Sequence, residues 1–253
     1  MLYKFPYRKI VGNNWAYGYA VHGTACHEAV LDVVRKEVER CDYFKGFLAL
    51  QSLAGGTGSG LGTIGWIPTA SLGLVWMPQV ILRSFVCDSL RELYPTSYLL
   101  NTVVWPYRSG EVIVQNYNTL LTMACLSESS DGVLIVENDL ADQICRRLLA
   151  IPTPSFHQMN QVLTNHIAAM LMPALPFQVL LYLCVCTYAS YVSNWRSNSQ
   201  AILPQVESML DKAHRMFTSN AYVHQYATHG VDADFFQSCF LRLDQMVVNY
   251  KSM

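Results

Sequence analysis

A glycine-rich stretch is the feature of this 253-residue sequence with the clearest chemical meaning. It reads Gly55, Gly56, Thr57, Gly58, Ser59, Gly60. Glycine lets successive backbone N–H groups point into one concavity, and the Thr57 and Ser59 hydroxyls add donors, so such a loop can cradle phosphate groups. The loop lacks the Gly-Lys-[Ser/Thr] ending of a Walker P-loop. It therefore predicts a phosphate site of another kind.

The same region also contains a dinucleotide-binding pattern. Gly60, Gly62 and Gly65 satisfy G-x-G-x-x-G, and Asp88 follows at about the distance, roughly 20 residues, expected of a ribose-binding acid. Against this interpretation, Pro68 would fall in the first turns of the helix that must begin at these glycines. An NAD-type dinucleotide-dependent enzyme is therefore the alternative hypothesis.

Two asparagines and an aromatic residue could recognise a flat heterocyclic base. Asn138 follows a predicted strand, where open α/β sheets bind ligands, although an asparagine there also suits an ordinary turn. Asn160 lies in an otherwise apolar predicted helix, and a buried amide needs hydrogen-bonding partners. Phe156, one turn earlier, could stack on a ring. Together Phe156 and Asn160 are candidates for a base-reading site.

These residues need an ordered set of strands and helices to hold them. Apolar residues recur at helical spacing over 26–41, and strands are predicted at 47–53, 99–105, 111–115 and 132–137, each of the last three followed by a helix-like stretch. This alternation predicts an α/β fold with a largely parallel sheet. The helix predicted at 160–172 is apolar nearly all round, which favours a buried position.

The C-terminal part predicts two amphipathic helices. Their apolar positions are Val206, Met209, Leu210, Ala213, Met216 and Phe217 in the first, and Phe236, Cys239, Phe240, Leu243, Val247 and Tyr250 in the second. Gly230 separates the two, and Asp232 and Asp234 suit the start of the second helix. We expect a helical hairpin.

Two apolar segments fit this pattern less well. Residues 64–91 look like an insertion after the glycine loop. Residues 175–192 are long enough to be weighed as a membrane span, since about 20 apolar residues cross a bilayer. Pro173, Pro176 and Gln178 weaken that interpretation and favour a buried segment. A structural or membrane-associated fragment without a ligand is a further alternative for the chain.

Composition narrows the class of protein. Hydrophobic residues make up 52% of the chain and charged residues 14%, which excludes disorder. The net charge of −1 provides no basic field, so nucleic acid is not expected as the main partner. Eight cysteines without a C-x-x-C pair, and a first ten residues without a signal peptide, predict an intracellular chain whose cysteines pack as small hydrophobes. No metal-ligand spacing is present in the sequence.

Five separated motifs resemble those of the tubulins in order and spacing. They are residues 13–16 (Asn-Asn-Trp-Ala), the glycine loop 54–60, residues 114–118 (Val-Gln-Asn-Tyr-Asn), Glu137 with Asn138, and Phe156 with Asn160. The resemblance covers residues 10–63, 92–175 and 197–253. It implies an incomplete tubulin/FtsZ-like α/β nucleotide-binding layer over residues 1–175, interrupted by the non-matching segment 64–91. A second non-matching segment, 176–196, then precedes a C-terminal helical hairpin at 197–253.

The resemblance also implies a site for GTP, with Mg²⁺ accompanying the nucleotide and no protein ligand assigned to it. Gly12 and Asn13 would approach the terminal phosphates, and residues 55–60 would wrap the phosphate chain. Glu111 and Gln115 would face the ribose. Gln115 stands where tubulins commonly have a carboxylate.

On the base side, the resemblance implies that Asn138 and Asn160 hydrogen-bond guanine and that Phe156 stacks on it where the family usually has tyrosine. The family also carries a catalytic acid in an intermediate domain that residues 176–196 do not match. No catalytic residue is therefore assigned, and GTPase activity rests on the resemblance alone.

The tubulin resemblance implies a cytoplasmic, cytoskeletal protein of microtubules, centrioles and cilia, with other tubulins or centriolar proteins as partners. Tubulins begin with a strand and a first phosphate-binding loop that precede the segment equivalent to Asn13. Their absence from this chain leads us to expect weak GTP binding. Unpaired sheet edges and uncovered apolar surface also lead us to expect aggregation or retention by chaperones.

Overall fold

The computed structural model describes residues 13–55, 74–77, 83–107, 112–171 and 200–252. A π-helical turn, Tyr17–His22, leads into the first α-helix. The α-helices are α1 Gly23–Glu39, α2 Arg83–Leu93, α3 Gln115–Ser129, α4 Asn138–Arg147, α5 Phe156–Leu171, α6 Leu203–Thr218, α7 Val223–Ala227 and α8 Ala233–Lys251. The strands are β1 Gly46–Ser52, β2 Leu74–Met77, β3 Tyr98–Trp105 and β4 Gly132–Glu137.

Within the described residues, the four strands form one parallel sheet in the order β2-β1-β3-β4. In the register, Gly46 pairs with Tyr98 and Leu100 pairs with Gly132. The predicted strands at 47–53, 99–105 and 132–137 correspond closely to β1, β3 and β4. The parallel α/β class predicted from the sequence is confirmed.

The predicted strand at 111–115 is wrong where the structure describes it. Residues 112–114 form a turn, in which the Gln115 N–H donates to the Val112 carbonyl, and Gln115 is the first residue of α3. A short apolar run at the start of a buried helix has the same composition as a buried strand, so periodicity alone does not separate the two. Residues 108–111 lie outside the described part of the chain.

Helix α3 is the buried centre of the molecule. Twelve of its fifteen residues are buried, and it packs against α2, α6 and α8. The main core joins Phe47 and Leu99 of the sheet to Leu120 of α3 and Phe236 of α8. Burial on nearly every side explains why the apolar residues of α3 follow no single stripe.

Helix α5 is less buried than its sequence predicts. Met159, Leu163 and Ile167 face the interior, whereas His157 and Gln161 are exposed, so the helix has one wet side over its described side chains. The helix also begins at Phe156, one turn before the predicted start. Seven of the sixteen residues of this helix are polar, and His157, Gln161 and Asn165 are exposed, which explains the solvent-facing side.

The C-terminal hairpin is confirmed. Helices α6 and α8 both pack on α3, and the short helix α7 lies in the connection between them. Gly230 adopts φ +83°, and Asp232 caps α8 by accepting a hydrogen bond from the Phe235 N–H at 2.9 Å. Both positions do what their residue types predict.

The two apolar segments differ in how far they can be described. Within 64–91, residues 74–77 form strand β2 and residues from 83 onward form α2, whose Val86, Cys87 and Leu90 are buried in the main core. Residues 175–192 lie outside the described part. Among the described residues, no helix combines the length and apolarity required to cross a bilayer.

Candidate functional site

The carboxyl ends of three parallel strands define the edge at which the candidate residues gather. After β1 the chain passes through Leu53 and Ala54 to Gly55, after β3 it reaches Tyr107, and after β4 it continues directly into Asn138. In open parallel sheets this edge is where ligands bind. We call this the nucleotide edge, after the nucleotide site that the sequence resemblance predicts here.

Asn118 joins two loops at the nucleotide edge. Its side chain is fully buried in α3, and its Nδ2 donates to the Asn13 carbonyl at 2.7 Å and to the Ala54 carbonyl at 3.0 Å. Thr119 adds a longer contact, from its hydroxyl to the Leu53 carbonyl at 3.4 Å. The first residue of the predicted phosphate loop and Asn13 are thus held by one amide group.

The oxygen of the same amide is also occupied. Asn118 Oδ1 accepts from the Trp15 N–H at 3.2 Å and from the Tyr226 hydroxyl at 2.7 Å. Both N–H groups and both lone pairs of this side chain are therefore used, which satisfies a polar group that would otherwise be costly to bury.

The chain around Asn13 forms a tight turn. Asn13 has φ +57°, a left-handed conformation that asparagine tolerates better than most residues. Asn14 Oδ1 accepts from the N–H groups of Ala16 and Tyr17, and its Nδ2 donates to the Gln225 carbonyl at 2.8 Å. The Asn14 side chain therefore caps the first backbone N–H groups of the helical segment that follows.

Gln115 links the start of α3 to the loop after β3. Its Nε2 donates to the Tyr107 carbonyl at 3.4 Å, and the Tyr107 hydroxyl lies 3.5 Å from the Met159 sulfur in α5. Gln115 is only 9% exposed, and within the described residues its buried Oε1 accepts no hydrogen bond. A buried acceptor without a donor is what a ligand hydroxyl would satisfy.

The base-side residues occupy two packed helices. Asn138 is the first residue of α4 and Asn160 lies in the second turn of α5. A small apolar cluster containing Ala141, Cys145 and Met159 holds these helices together. The two amides therefore sit on one supported unit at the end of β4.

Phe156 opens α5 and is 69% exposed. An aromatic ring with that exposure at the start of a helix is free to stack on a planar ligand, the role predicted from the sequence.

Acidic groups set the local electrostatics near Tyr107. Burial raises the pKa of the Tyr107 hydroxyl, and the carboxylates of Asp142 and Asp139 raise it further. Nearby, Glu137 at the end of β4 accepts a hydrogen bond at 3.1 Å from Gln205 of α6. The C-terminal hairpin thus touches the nucleotide edge at a second point.

The structure describes six of the predicted site residues. Gly12, Glu111 and residues 56–60 lie outside the described ranges, whereas Asn13, Gly55, Gln115, Asn138, Phe156 and Asn160 lie within them. In the described part of the chain, no three His, Cys, Asp or Glu side chains are arranged to hold a metal ion.

Asp88 does not occupy the position that the dinucleotide hypothesis requires. It lies within α2 rather than after a strand, and its carboxylate accepts from the Tyr19 hydroxyl at 3.0 Å. A ribose-binding acid belongs at the carboxyl end of the second strand of the nucleotide-binding unit. The spacing match to Asp88 is therefore a coincidence of sequence.

Sequence reasoning missed the role of Asn118. The residue belongs to a motif that the sequence singled out, but nothing local indicates its partners. The available signal was an amide just before the largely apolar run 120–126, which predicts a buried helix whose polar side chains need partners.

The chain is similar in sequence to proteins of the tubulin/FtsZ family. Residues 5–64 match the profile described as Tubulin/FtsZ family, GTPase domain. Over 162 residues, the chain is 44% identical to the Tubulin delta chain of Macaca fascicularis and to that of Homo sapiens. It is 35% identical to the Tubulin beta-6 chain of Gossypium hirsutum over 154 residues.

These similarities cover only part of each protein. The delta-chain alignments include 64% of this chain and 31% of the relative, and the beta-6 alignment includes 60% and 30%. The chain therefore spans about a third of the length of the relatives it matches. The predicted resemblance to tubulins is confirmed, with greater identity to the delta chains than to the beta-6 chain.

Proposed function

We propose that this chain is a delta-tubulin-like cytoskeletal protein that binds guanine nucleotide at the nucleotide edge. The observation that carries the proposal is the pair of hydrogen bonds from Asn118 to the Asn13 and Ala54 carbonyls, at 2.7 and 3.0 Å. They fix next to each other the two loops that the sequence predicts for phosphate binding. The similarity to tubulin chains supports the choice of ligand class.

In this proposal the phosphates face backbone N–H groups. Gly55 follows Ala54 in the glycine loop. Asn13 lies in the neighbouring loop. Backbone donors and hydroxyls suit a polyphosphate because they hold negative charge without a large desolvation cost. GTP would bring Mg²⁺ with it, and no residue of this chain is assigned as a metal ligand.

The ribose and base would contact the remaining predicted residues. Gln115 Oε1, buried and without a donor in the described structure, would accept a hydrogen bond from a ribose hydroxyl. Asn138 and Asn160 would offer donor and acceptor groups to the guanine edge, and the exposed Phe156 ring would stack on its face. Guanine would be preferred because its edge offers a donor and acceptor pattern that differs from that of adenine.

The cellular role follows from the same similarity. We propose other tubulins or microtubules as partners, with centriolar proteins and chaperones as further candidates, and a location in the cytoplasm at centrioles and the base of cilia. No catalytic acid is assigned, so nucleotide binding, rather than hydrolysis, is the activity proposed.

The test is a titration of the purified chain with a fluorescent GTP analogue, with unlabelled GTP, ATP and NAD as competitors. We expect GTP to displace the probe better than ATP or NAD. Asn138→Ala and Asn160→Ala should each reduce the preference for GTP over ATP by about tenfold, since each removes a paired amide.

Asn249→Ala is the matched control. Asn249 lies exposed near the end of α8, where its side chain accepts from Gln245, and it is not among the predicted site residues. It should leave the preference unchanged. Tight GTP binding that survives both Asn138→Ala and Asn160→Ala would contradict the assigned base site, and displacement by NAD would favour the dinucleotide alternative.

A further inference from the structure

The connection between α6 and α8 contacts the nucleotide edge through a buried hydroxyl. Tyr226 of α7 is fully buried, and its hydroxyl donates to Asn118 Oδ1 at 2.7 Å. Its neighbour Gln225 accepts from Asn14 at 2.8 Å. Two consecutive residues near the C-terminus thus contact the loop at 13–16 directly or through Asn118.

The partners of Asn118 determine how its amide must point. The Asn13 and Ala54 carbonyls can only accept, so they require the N–H groups of the amide, and the Trp15 N–H can only donate, so it requires the oxygen. Tyr226 donates to the same oxygen. Burial also raises the pKa of the Tyr226 hydroxyl, which keeps it protonated as a donor.

We propose that Tyr226 and Asn118 are positioning residues of the nucleotide edge. The two carbonyls and the Trp15 N–H set the orientation of the Asn118 amide, and Tyr226 adds a second donor that holds its oxygen in place. In this orientation the amide ties the Asn13 loop to the glycine loop at Ala54. Neither residue is assigned a contact with the ligand. The link to nucleotide binding therefore rests on the proposed function, which this inference deepens.

Tyr117 provides a matched control in the same part of the core. It is fully buried like Tyr226, and its hydroxyl donates to the Ala221 carbonyl at 3.1 Å, so it also bonds to the connection between α6 and α8. Both rings pack edge-on against Phe236, at 4.9 Å for Tyr117 and 5.3 Å for Tyr226. Tyr117, however, makes no hydrogen bond through its hydroxyl to Asn118, Asn13 or Ala54 among the described contacts.

The first measurement is amide hydrogen exchange of the free chain, comparing the natural sequence with Tyr226→Phe and Tyr117→Phe. We expect Tyr226→Phe to speed exchange at the Trp15 N–H at least about threefold, because the acceptor of that N–H loses its orienting bond. Tyr117→Phe should leave Trp15 unchanged. Equal effects of the two variants at Trp15, or no effect of Tyr226→Phe, would overturn the proposal.

Asn118→Asp tests the same bonds from the other side. The carboxylate keeps an acceptor for Trp15 and Tyr226 but loses both donors and faces the Asn13 and Ala54 carbonyls with oxygen. We expect faster exchange at Trp15 than in Tyr226→Phe. If this variant does not fold, the two tyrosine variants still decide the question.

The second measurement is affinity for a fluorescent GTP analogue in the same variants. Tyr226→Phe should weaken binding about threefold to tenfold and Tyr117→Phe by less than about twofold. Failure of the natural chain to bind GTP would overturn the proposed function, while hydrogen exchange at Trp15 would still decide whether Tyr226 positions the loops. A loss of affinity of the same size in both tyrosine variants would indicate a general packing effect and overturn the positioning role.

Discussion

The hydroxyl of Tyr19 donates a hydrogen bond to the carboxylate of Asp88 across 3.0 Å. The bond connects the π-helical turn, which follows the Asn13 loop, to helix α2. Burial raises the pKa of the Asp88 carboxyl to about 6, and the nearby carboxylates of Glu128 and Glu92 add to this effect against the lowering influence of the Tyr19 and Ser129 hydrogen bonds. The surroundings therefore penalise the ionised form of Asp88 relative to an aspartate in water.

We predict that Asp88→Asn stabilises the chain, and more so at higher pH. A raised folded-state pKa means that the contribution of Asp88 is fully favourable below its unfolded value of 3.8 and is lost as pH rises through about 6. The amide can keep accepting from Tyr19. The gain in unfolding free energy over the natural chain should grow by about 1–2 kcal/mol between pH 5 and pH 7.5. Denaturant melts at the two pH values measure this difference, and a gain independent of pH would contradict the assignment.

Arg91 is predicted to stabilise the junction of α2 with the sheet. Its guanidinium donates to the Ser129 carbonyl at 2.9 Å and to Asp131 at 2.7 Å, and Asp131 in turn accepts from the Leu99 N–H. Arg91→Ala should lower the unfolding free energy by about 2 kcal/mol, because charge-assisted bonds to partly buried groups are lost.

The control for Arg91 is Arg40→Ala. Arg40 pairs with Glu37 on the surface of α1 with 62% of its side chain exposed, so its removal should cost less than about 0.5 kcal/mol. Chemical denaturation compares the two, and similar costs would show that the Arg91 contacts contribute no more than a surface pair.

Gly46 is predicted to be irreplaceable at the start of β1. A Cβ at this position would lie 2.1 Å from the Tyr98 carbonyl oxygen, and this backbone atom belongs to the paired strand β3. Gly46→Ala should cost about 3 kcal/mol or prevent folding, since relief requires the two strands to separate.

Gly132→Ala is the comparison for Gly46. At Gly132 the nearest obstacle is the end of the Leu100 side chain at 3.0 Å, which can rotate, so the cost should stay near 1 kcal/mol. Thermal melts of both variants test the ranking, and the opposite order would contradict the strand register.

Phe156 is predicted to affect nucleotide affinity without affecting stability. Because 69% of the side chain is exposed, Phe156→Ala removes little buried surface. If the ring stacks on guanine, the substitution should weaken GTP binding about threefold to tenfold. Leu149→Ala, at a site 53% exposed after α4, is the control and should leave affinity unchanged. Equal affinities of all three proteins would exclude a stacking role.

The sequence pattern predicted two kinds of element: helices with one buried face, and short apolar strands bounded by turn residues. Helix α1 was predictable because apolar residues recur at helical spacing and charged residues fill the other face. The structure places Asp32, Arg35 and Glu39 in ion pairs on its surface. Strands β1, β3 and β4 were predictable because turn residues bound short apolar runs. The start of α3 was not predictable, because a helix buried on most sides carries no stripe.

The site divides in the same way. The position of Asn138 at the end of β4 was predictable, because a strand followed by a helix places its last residues at a sheet edge. The hydrogen bonds of Asn118 were not predictable, because its partners Asn13 and Tyr226 lie 105 and 108 residues away along the chain. Spacing within a motif says nothing about contacts of that separation.

Those separations have a consequence for synthesis on the ribosome. The chain emerges from its N-terminus, so Asn13 and Asn118 are both available long before Tyr226 is made. Until then the Asn118 oxygen lacks its hydroxyl donor, and the loops at Asn13 and Ala54 lack their completed support. The final geometry of this edge is therefore acquired only after Tyr226 has been translated and its hydroxyl has reached Asn118 in α3.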